Sequence, residues 1–427
     1  MVKLDAEQQH IAVIGAGVIG LTTALLLQKE GYCVTLFDGQ GIAQGASSGN
    51  AGHFATEQVF PLSDPALLSQ LPRMLLDPLG PFKIQPNYLC KAVPWFLRFM
   101  LEMTQRNRQN NSEAIMALNS HAIASWQRLI SDIETDSGLT MQGSMVTYEN
   151  TSQESILKTM ALYKTKGVDV EYLDSEAVRQ IEPLLNSNIK GALLFNSVAH
   201  TVNPGKLCQD IAEYFLNQGG TFIKENITCV TQDNRPVIHT TVKPYQVDKV
   251  VLCVGAHSKK LVADLGYKVP LETERGYHLM LPIQVGIKRP VASDDRKFIM
   301  TPMREGLRLA GTVEFGGLEN LPDYRRSEIL LTHAKAMFVD IPELAQLSLA
   351  QLSPQARWMG LRPSLPDSVP IIDKSPLNEN ILFNFGHQHL GLTWAAISAE
   401  LIVQLVSNDT GLIDMTPYRV DRFKLCL

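Results

Sequence analysis

Residues Ile11 to Asp38 read IAVIGAGVIGLTTALLLQKEGYCVTLFD. The stretch runs strand, glycine turn, helix, second strand, acid, which is a dinucleotide-binding fingerprint in its full context. Ile11 to Ile14 are apolar and partly β-branched, as a parallel strand buried on both faces requires. Gly15 allows the tight turn, Gly17 lets the backbone approach a pyrophosphate, and Gly20 lets helix and sheet pack closely. A helix from Val18 through Ile19 to Lys29 aims its positive N-terminus and free N–H groups at that anion. Val34 to Phe37 form the next strand. Asp38, 18 residues after Gly20, places a carboxylate where it can accept both hydroxyls of an adenosine ribose. An acid at that point disfavours a 2′-phosphate and argues against NADP.

The chain of 427 residues has room for two domains, or for one with large insertions. At 45% hydrophobic and 19% charged residues it has the composition of a globular protein with a full core. A net charge of -5 leaves no electrostatic footprint for nucleic acid. The six cysteines, at 33, 90, 208, 229, 253 and 426, form no C-x-x-C pair, so neither a zinc site nor a disulfide framework is implied. No other metal-ligand constellation and no Ser-His-Asp arrangement stands out. Reduced thiols suit a cytoplasmic protein. Ile11 to Leu27 imitates a membrane span, but it is glycine-interrupted, is preceded by acidic Asp5 and Glu7, and falls short of the ~20 residues a span needs. A soluble protein, at most peripheral to the inner face of a membrane, is expected.

After Asp38 the segment GQGIAQGASSGNAGHF is a small, polar loop able to wrap a ligand. Proline-rich text from Pro61 to Pro94 gives way to an apolar stretch carrying Trp95, Phe96, Phe99 and Met100. Ser112 is read as the start of a long helix with Ile115, Leu118, Trp126, Leu129 and Ile133 on one face. Strand text recurs at Gly143–Tyr148, Val168–Leu173, Gly191–Phe195, Thr221–Ile223, Lys249–Val254, His278–Leu281, Phe298–Thr301, Leu307–Thr312 and Ile381–Phe385. Alternating βα text and blocks of β text imply interleaved domains. The expected fold is α/β: a discontinuous Rossmann-like dinucleotide domain over 1–60, 196–260 and 356–427, and a mixed-sheet α+β substrate domain over 61–195 and 261–355.

The fingerprint alone does not separate NAD from FAD. A second glycine-led helix start does: Phe385-Gly386-His387-Gln388-His389-Leu390-Gly391-Leu392-Thr393 follows a strand and opens a C-terminal helix. Backbone N–H groups there can stabilise negative charge on the pyrimidine edge of a reduced flavin. Val250 to Ala256 is another glycine-terminated strand, bringing Gly255 and Ala256 to the nucleotide. At this point the chain resembles the D-amino-acid oxidase superfamily of FAD enzymes, in its bacterial D-amino-acid dehydrogenase and D-hydroxyproline dehydrogenase-like branch. The motifs that carry the resemblance are GAGVIG at 15–20, SSGNAG at 47–52, VLCVGAHS at 251–258, ERGYHL at 274–279, RLAGTVEF at 308–315, GLRPSLPDSVPIID at 360–373 and GHQHLGLT at 386–393. The resemblance implies FAD, with Ser47 and Ser48 near the pyrophosphate, Asn50, Ala51 and Gly52 beside the flavin, and Val230 touching the adenine through its backbone.

An amino-acid oxidoreductase must hold a carboxylate, aim Cα–H at flavin N5, and have the amine neutral when hydride leaves. Arg362 matches the family's carboxylate-binding arginine, and its planar fork suits that task. Where glycine-oxidase-like relatives carry a second arginine, this chain has His389, which is shorter and can be neutral. His53, after Asn50-Ala51-Gly52, is a further candidate near the flavin, against a structural reading. Tyr277 and His278 are read as lining the substrate face, with the Tyr277 hydroxyl able to meet a carboxylate. Arg304 and Arg308 are read as a solvated strand edge, with a role in holding an anion as the alternative.

The resemblance implies an amino-acid substrate, with D-proline and cis-4-hydroxy-D-proline among the candidates, and a quinone or other respiratory carrier as electron acceptor. Tyr88 to Met103 is read either as a helix over the substrate cavity or as a bilayer contact. Oxidation of a 2-hydroxy acid would use Arg362 equally, and a non-catalytic FAD-binding subunit is the third alternative. The oligomeric state stays open.

Overall fold

The computed structural model describes residues 8–69, 77, 79–232, 234–409 and 411–423. Asp5, Glu7, Cys426 and part of the proline-rich text lie outside them. Among the described residues, two sheets organise the molecule. The smaller has six strands in the order Ile371–Lys374, Ile381–Phe385, Lys249–Leu252, His10–Ile14, Cys33–Phe37 and Thr221–Ile223. All its pairings are parallel except the first, where Ile371 lies antiparallel to Phe385. The first strand shows why it sits at the centre. Ile11 and Val13 feed the core on one face, while Ala12 and Ile14 feed the core on the other.

The first helix, Val18–Lys29, and the C-terminal helix, Gly391–Ser407, pack against each other on one face of this sheet. The Thr22 hydroxyl donates to the Ala395 carbonyl at 3.0 Å across the contact. The long helix extends over Gln105–Ile130 and begins seven residues before Ser112. Thr104 caps it, accepting from the Asn107 N–H, and the Ser112 hydroxyl instead donates to Val59 O at 2.8 Å. Although this helix falls within 61–195, its Ile115, Leu118, Trp126 and Leu129 join the core beneath the dinucleotide sheet. The Trp126 indole donates to Leu392 O at 2.8 Å. Amphipathic text sets which face is buried but not against which sheet.

The larger sheet has nine strands. Eight follow the order Arg357–Ser364, Glu272–Leu281, Gly306–Phe315, Phe298–Met303, Val291–Ser293, Ser144–Tyr148, Gly191–Phe195 and Val170–Asp174, with Phe82–Ile84 pairing to Gly306–Phe315 off this path. It is mixed: Val291–Ser293 runs parallel to Ser144–Tyr148, and most other neighbours are antiparallel. Arg357–Ser364 was grouped with the dinucleotide segments in the sequence reading, yet it is an edge strand here. Strand pairing is non-local, and Glu272–Leu281 supplies its partner with Glu274 opposite Arg362 and His278 opposite Trp358. Glu272–Leu281 itself begins six residues before the strand text at His278. Polar Glu274 and Arg275 hide that start, because both are buried against partners.

Helix Leu89–Leu101 packs its Trp95 under this edge, with the indole donating to Ser364 O at 3.2 Å and the ring stacked on Phe99. The helix therefore covers the sheet, while its outer face leaves Leu89, Val93, Leu97, Met100 and Leu101 exposed. No helix among the described residues is long and apolar enough to cross a membrane.

Candidate active site

A cleft of about 1260 Å³ runs between the two sheets, larger than a typical small-ligand pocket and roomy enough for a dinucleotide with a small substrate. At one end lies the glycine turn. Gly15 takes φ +106, and a Cβ there would come within 2.5 Å of Cys253 O. A Cβ on Gly20 would fall 1.7 Å from Gly15 O, so the third fingerprint glycine is the close-packing position. The Asp38 carboxylate accepts from the Ala16 N–H at 2.8 Å and from the Gln40 and Gly41 N–H groups at 2.7 and 2.9 Å. These bonds aim it along the cleft, which it lines with Gly17 and Ile19. Ser47 Oγ accepts from the Val18 N–H at 2.8 Å, seating a hydroxyl on the tip of the first helix.

The second helix tip faces the same cleft. Gly391 and Leu392 line it, and neither of their N–H groups donates to an acceptor among the described residues. Two helix starts on one cleft, the second with its first N–H groups unspent, are a cradle for an extended anionic ligand. Gly386, at φ +87, turns the chain toward the tip. Thr393 Oγ1 accepts from the Ala55 N–H at 2.9 Å, Leu390 packs into the core, and buried His387 bonds Ser398 Oγ at 2.9 Å through Nε2.

The loop 47–52 forms one wall. Asn50 closes it, donating to Ser47 O and accepting from the Gly52 N–H. Arg308 is half-buried behind the loop, not a solvated edge, and donates to Ser48 O at 3.3 Å and Asn50 O at 2.7 Å. Arg304 pairs with Asp136. Of the residues expected at the dinucleotide, Gly15, Gly17, Val18, Ile19, Asp38, Ser47, Asn50, Ala51, Gly255, Ala256, His387, Gly391 and Leu392 line the cleft. Gly20, Ser48, Gly52, Gly386, Leu390 and Thr393 stand behind that lining. Val230 also does not line it: its side chain is buried in the core, and Asn226, Ile227 and Thr228 line the cleft in its place.

At the other end stands Arg362. Its guanidinium lies over Gly276 on the adjacent strand and makes no hydrogen bond or ion pair among the described residues. Burial lowers its pKa, and nearby Glu274 opposes that effect. Glu274 is itself pushed up by burial and accepts from the Ser364 hydroxyl at 2.6 Å. An arginine unanswered by a carboxylate, in a cleft, is suited to a ligand's carboxylate.

Tyr277 lines the cleft with His278. Its hydroxyl donates to Glu314 Oε2 at 2.7 Å and accepts from the Asp323 N–H at 3.1 Å, so it is committed to the protein. The carboxylate that this hydroxyl meets is thus the protein's own Glu314. His278 does face the cleft, with Nδ1 2.8 Å from Gly49 O and its ring stacked on Trp358 at 4.9 Å.

His53, Glu57, Gln58 and His389 gather beside Arg362. The His389 ring bonds the Gln58 side chain, and burial, with Arg362 adding to the effect, pushes its pKa down to about 3. It is a neutral ring and not a second cation. His53 Nε2 lies 3.4 Å from Glu57 Oε1. Sequence reasoning did not single out Glu57 or Gln58, which sit in ordinary loop text. Asn119 of the long helix donates to both Thr56 O and Gln58 O at 3.0 Å, fixing Glu57 between them.

Residues 10–405 match the family described as FAD dependent oxidoreductase. A D-amino-acid oxidase of Bradyrhizobium diazoefficiens is 31% identical over 423 residues, covering 98% of this chain and 99% of that protein. A D-amino acid dehydrogenase of Vibrio vulnificus is 28% identical, covering 96% and 98%. Among solved structures, glycine oxidase from Geobacillus kaustophilus aligns with a TM-score of 0.71 at 19% identity over 97% of this chain and 99% of that one. L-proline dehydrogenase from P. horikoshii aligns at 0.72 and 18%, over 98% of each. At such identities the two structures speak to the fold alone.

Proposed function

The chain belongs to the family of FAD dependent oxidoreductases, and from that premise we propose that it dehydrogenates a D-amino acid at Cα. The residues present fit FAD: Asp38 for the ribose, Gly15, Gly17 and the Val18 tip with Ser47 for the pyrophosphate, and the Gly391 tip with the 50–52 loop for the flavin ring. Bound there, FAD accepts the two electrons of a Cα–H bond as hydride. The observation that carries the substrate class is Arg362, a guanidinium in the cleft with no protein carboxylate on it. It would hold the substrate carboxylate in two parallel hydrogen bonds and so orient Cα. The D-configuration rests on the printed names of the two sequence relatives. Neutral His389 beside Arg362 leaves no second cation, which favours an uncharged side chain. We read D-proline or cis-4-hydroxy-D-proline as the best case.

Our reading of the electron acceptor is a quinone, in keeping with the dehydrogenase name of one relative, while the oxidase name of the other fits oxygen. The exposed apolar stripe on Leu89–Leu101 supports a peripheral contact with the inner face of a membrane, where such a carrier dissolves. The test is anaerobic. The yellow protein is mixed with a panel of D- and L-amino acids, D-prolines included, and its flavin absorbance is followed. Bleaching by D-amino acids is expected; no bleaching by any of them removes the reading. Arg362→Ala should raise the substrate concentration needed for bleaching sharply while the flavin stays bound.

A further inference from the structure

Resting on that reading, we propose that Glu57, acting through His53, carries the proton shed by the substrate's ammonium group out of the cleft into a second, separate pocket. Three observations meet at Glu57. Its side chain lines the main cleft and also a pocket of about 410 Å³ on the other side, bounded by Ser120 of the long helix and by Val168, Asp169 and Ser197. It is buried, and its Oε2 has no hydrogen-bond partner; His53 Nε2 is likewise buried and unbonded. The two side chains are 3.4 Å apart, close enough to exchange a proton with a small adjustment. A buried unmatched carboxyl is costly, and its backbone is clamped from both sides by Asn119, so the placement is maintained against that cost.

The chemistry requires such a group. Substrate enters at neutral pH as an ammonium ion, and hydride leaves only once the nitrogen has a free lone pair. Burial pushes Glu57 up to about 8 and His53 down to about 4, so the pair is uncharged at neutral pH and holds one transferable proton. In the relay the ammonium N–H bond breaks and an N–H bond forms at His53 Nε2. The Glu57 O–H bond breaks toward water in the second pocket, and the imidazolium proton then moves to Glu57. One proton crosses and the pair ends as it began, carrying a single positive charge only between the transfer to His53 and the loss of the Glu57 proton. The other titratable groups facing it are His200, paired to the His53 backbone, His389 and Arg362 across the cleft, Tyr163, and Lys166 and Asp169 lining the second pocket. Of these, His200 is held down to about 4 and His389 to about 3 by burial, which leaves both as neutral rings.

The experiment is anaerobic flavin bleaching of the holoenzyme by a reactive D-amino acid at about pH 7 and about pH 10. Glu57→Gln is expected to slow bleaching roughly 10²-fold at the lower pH and to approach the wild-type rate at the higher one, where more substrate arrives with a neutral amine. An equal slowing at both pH values, or none, would overturn the proposal. Ser120→Trp, which fills the second pocket without touching the cleft, should show the same pH-dependent loss. If Glu57→Gln fails to hold flavin, an unchanged Ser120→Trp rate at pH 7 is enough to reject the relay. A wild-type protein that no amino acid bleaches defeats the proposed function and the relay together. Bleaching of wild type with pH-independent variants defeats the relay alone.

Discussion

The guanidinium of Arg362 rests on Gly276, so closely that a Cβ at position 276 would lie 2.4 Å from Arg362 Cζ. Only glycine leaves the arginine its place on the cleft face of the sheet. Gly276→Ala should push the side chain out of register with a bound carboxylate. The clash is with a flexible side chain, so folding should survive. Loss of a charge-assisted bond of about 1.5–3 kcal/mol predicts a kcat/KM lowered by roughly 10- to 150-fold. Steady-state kinetics beside a flavin absorbance spectrum check this, and an unaltered KM would disprove it.

Gly20 is the opposite case, because its added Cβ would meet backbone, Gly15 O at 1.7 Å. Gly20→Ala must displace the dinucleotide turn. With overpacking worth about 1–3 kcal/mol, FAD affinity should drop at least several-fold. Dialysis followed by fluorescence of the released flavin measures it; retention equal to wild type would contradict the close-packing role.

Asn119 holds three partners, of which Trp394 is fully buried. It donates to Thr56 O and Gln58 O and accepts from the Trp394 indole at 2.7 Å. Asn119→Ala strands all three, at about 1–3 kcal/mol for each group left unsatisfied. The expected result is a clearly lowered denaturation midpoint of the holoprotein, with bleaching slowed because Glu57 loses its clamp. A variant as stable as wild type would show that water replaces the amide without loss.

Acid should destabilise the fold through its buried histidines. His387 is pushed by burial from 6.5 down to about 3. Its neutral ring contributes fully above the unfolded value, and the contribution is lost as pH falls below 6.5 toward 3. At pH 5 the loss is about 2 kcal/mol from this ring. Glu57 has the reverse sign: raised from 4.5 to about 8, its contribution is present below 4.5 and lost as pH rises through 8. Urea midpoints between pH 7 and pH 5 should fall in wild type and fall less in His387→Asn. Parallel slopes would refute the assignment to His387.

The outer face of helix Leu89–Leu101 predicts lipid binding. Leu97, 49% exposed, sits at its centre. Leu97→Glu should abolish flotation with anionic vesicles and leave anaerobic bleaching intact. Flotation of both proteins, or of neither, would remove the membrane contact.

Much of this was legible in the chain because it is local. The Val18–Lys29 helix and the Gly191–Phe195 and Ile381–Phe385 strands follow from periodicity and glycine placement within a few residues. The cleft-facing positions of Gly17, Asp38, Asn50, Arg362 and Gly391 were reachable the same way, through motifs that carry their own geometry. The bonds of Arg308 to the 47–52 loop and of the Tyr277 hydroxyl to Glu314 were not, since a side chain's partner on another segment leaves no mark at its own position.

By itself, then, the order of residues determined the secondary elements, the two glycine-led helix starts and the cofactor class, because short-range sterics and backbone hydrogen bonding fix each within one turn or strand. Only the tertiary structure decided that Arg357–Ser364 joins the larger sheet, that the Tyr277 hydroxyl is spent on Glu314, and that Glu57 stands between two pockets. Those outcomes depend on contacts between residues up to hundreds of positions apart, where the energy lies in burial and pairing that no local pattern encodes.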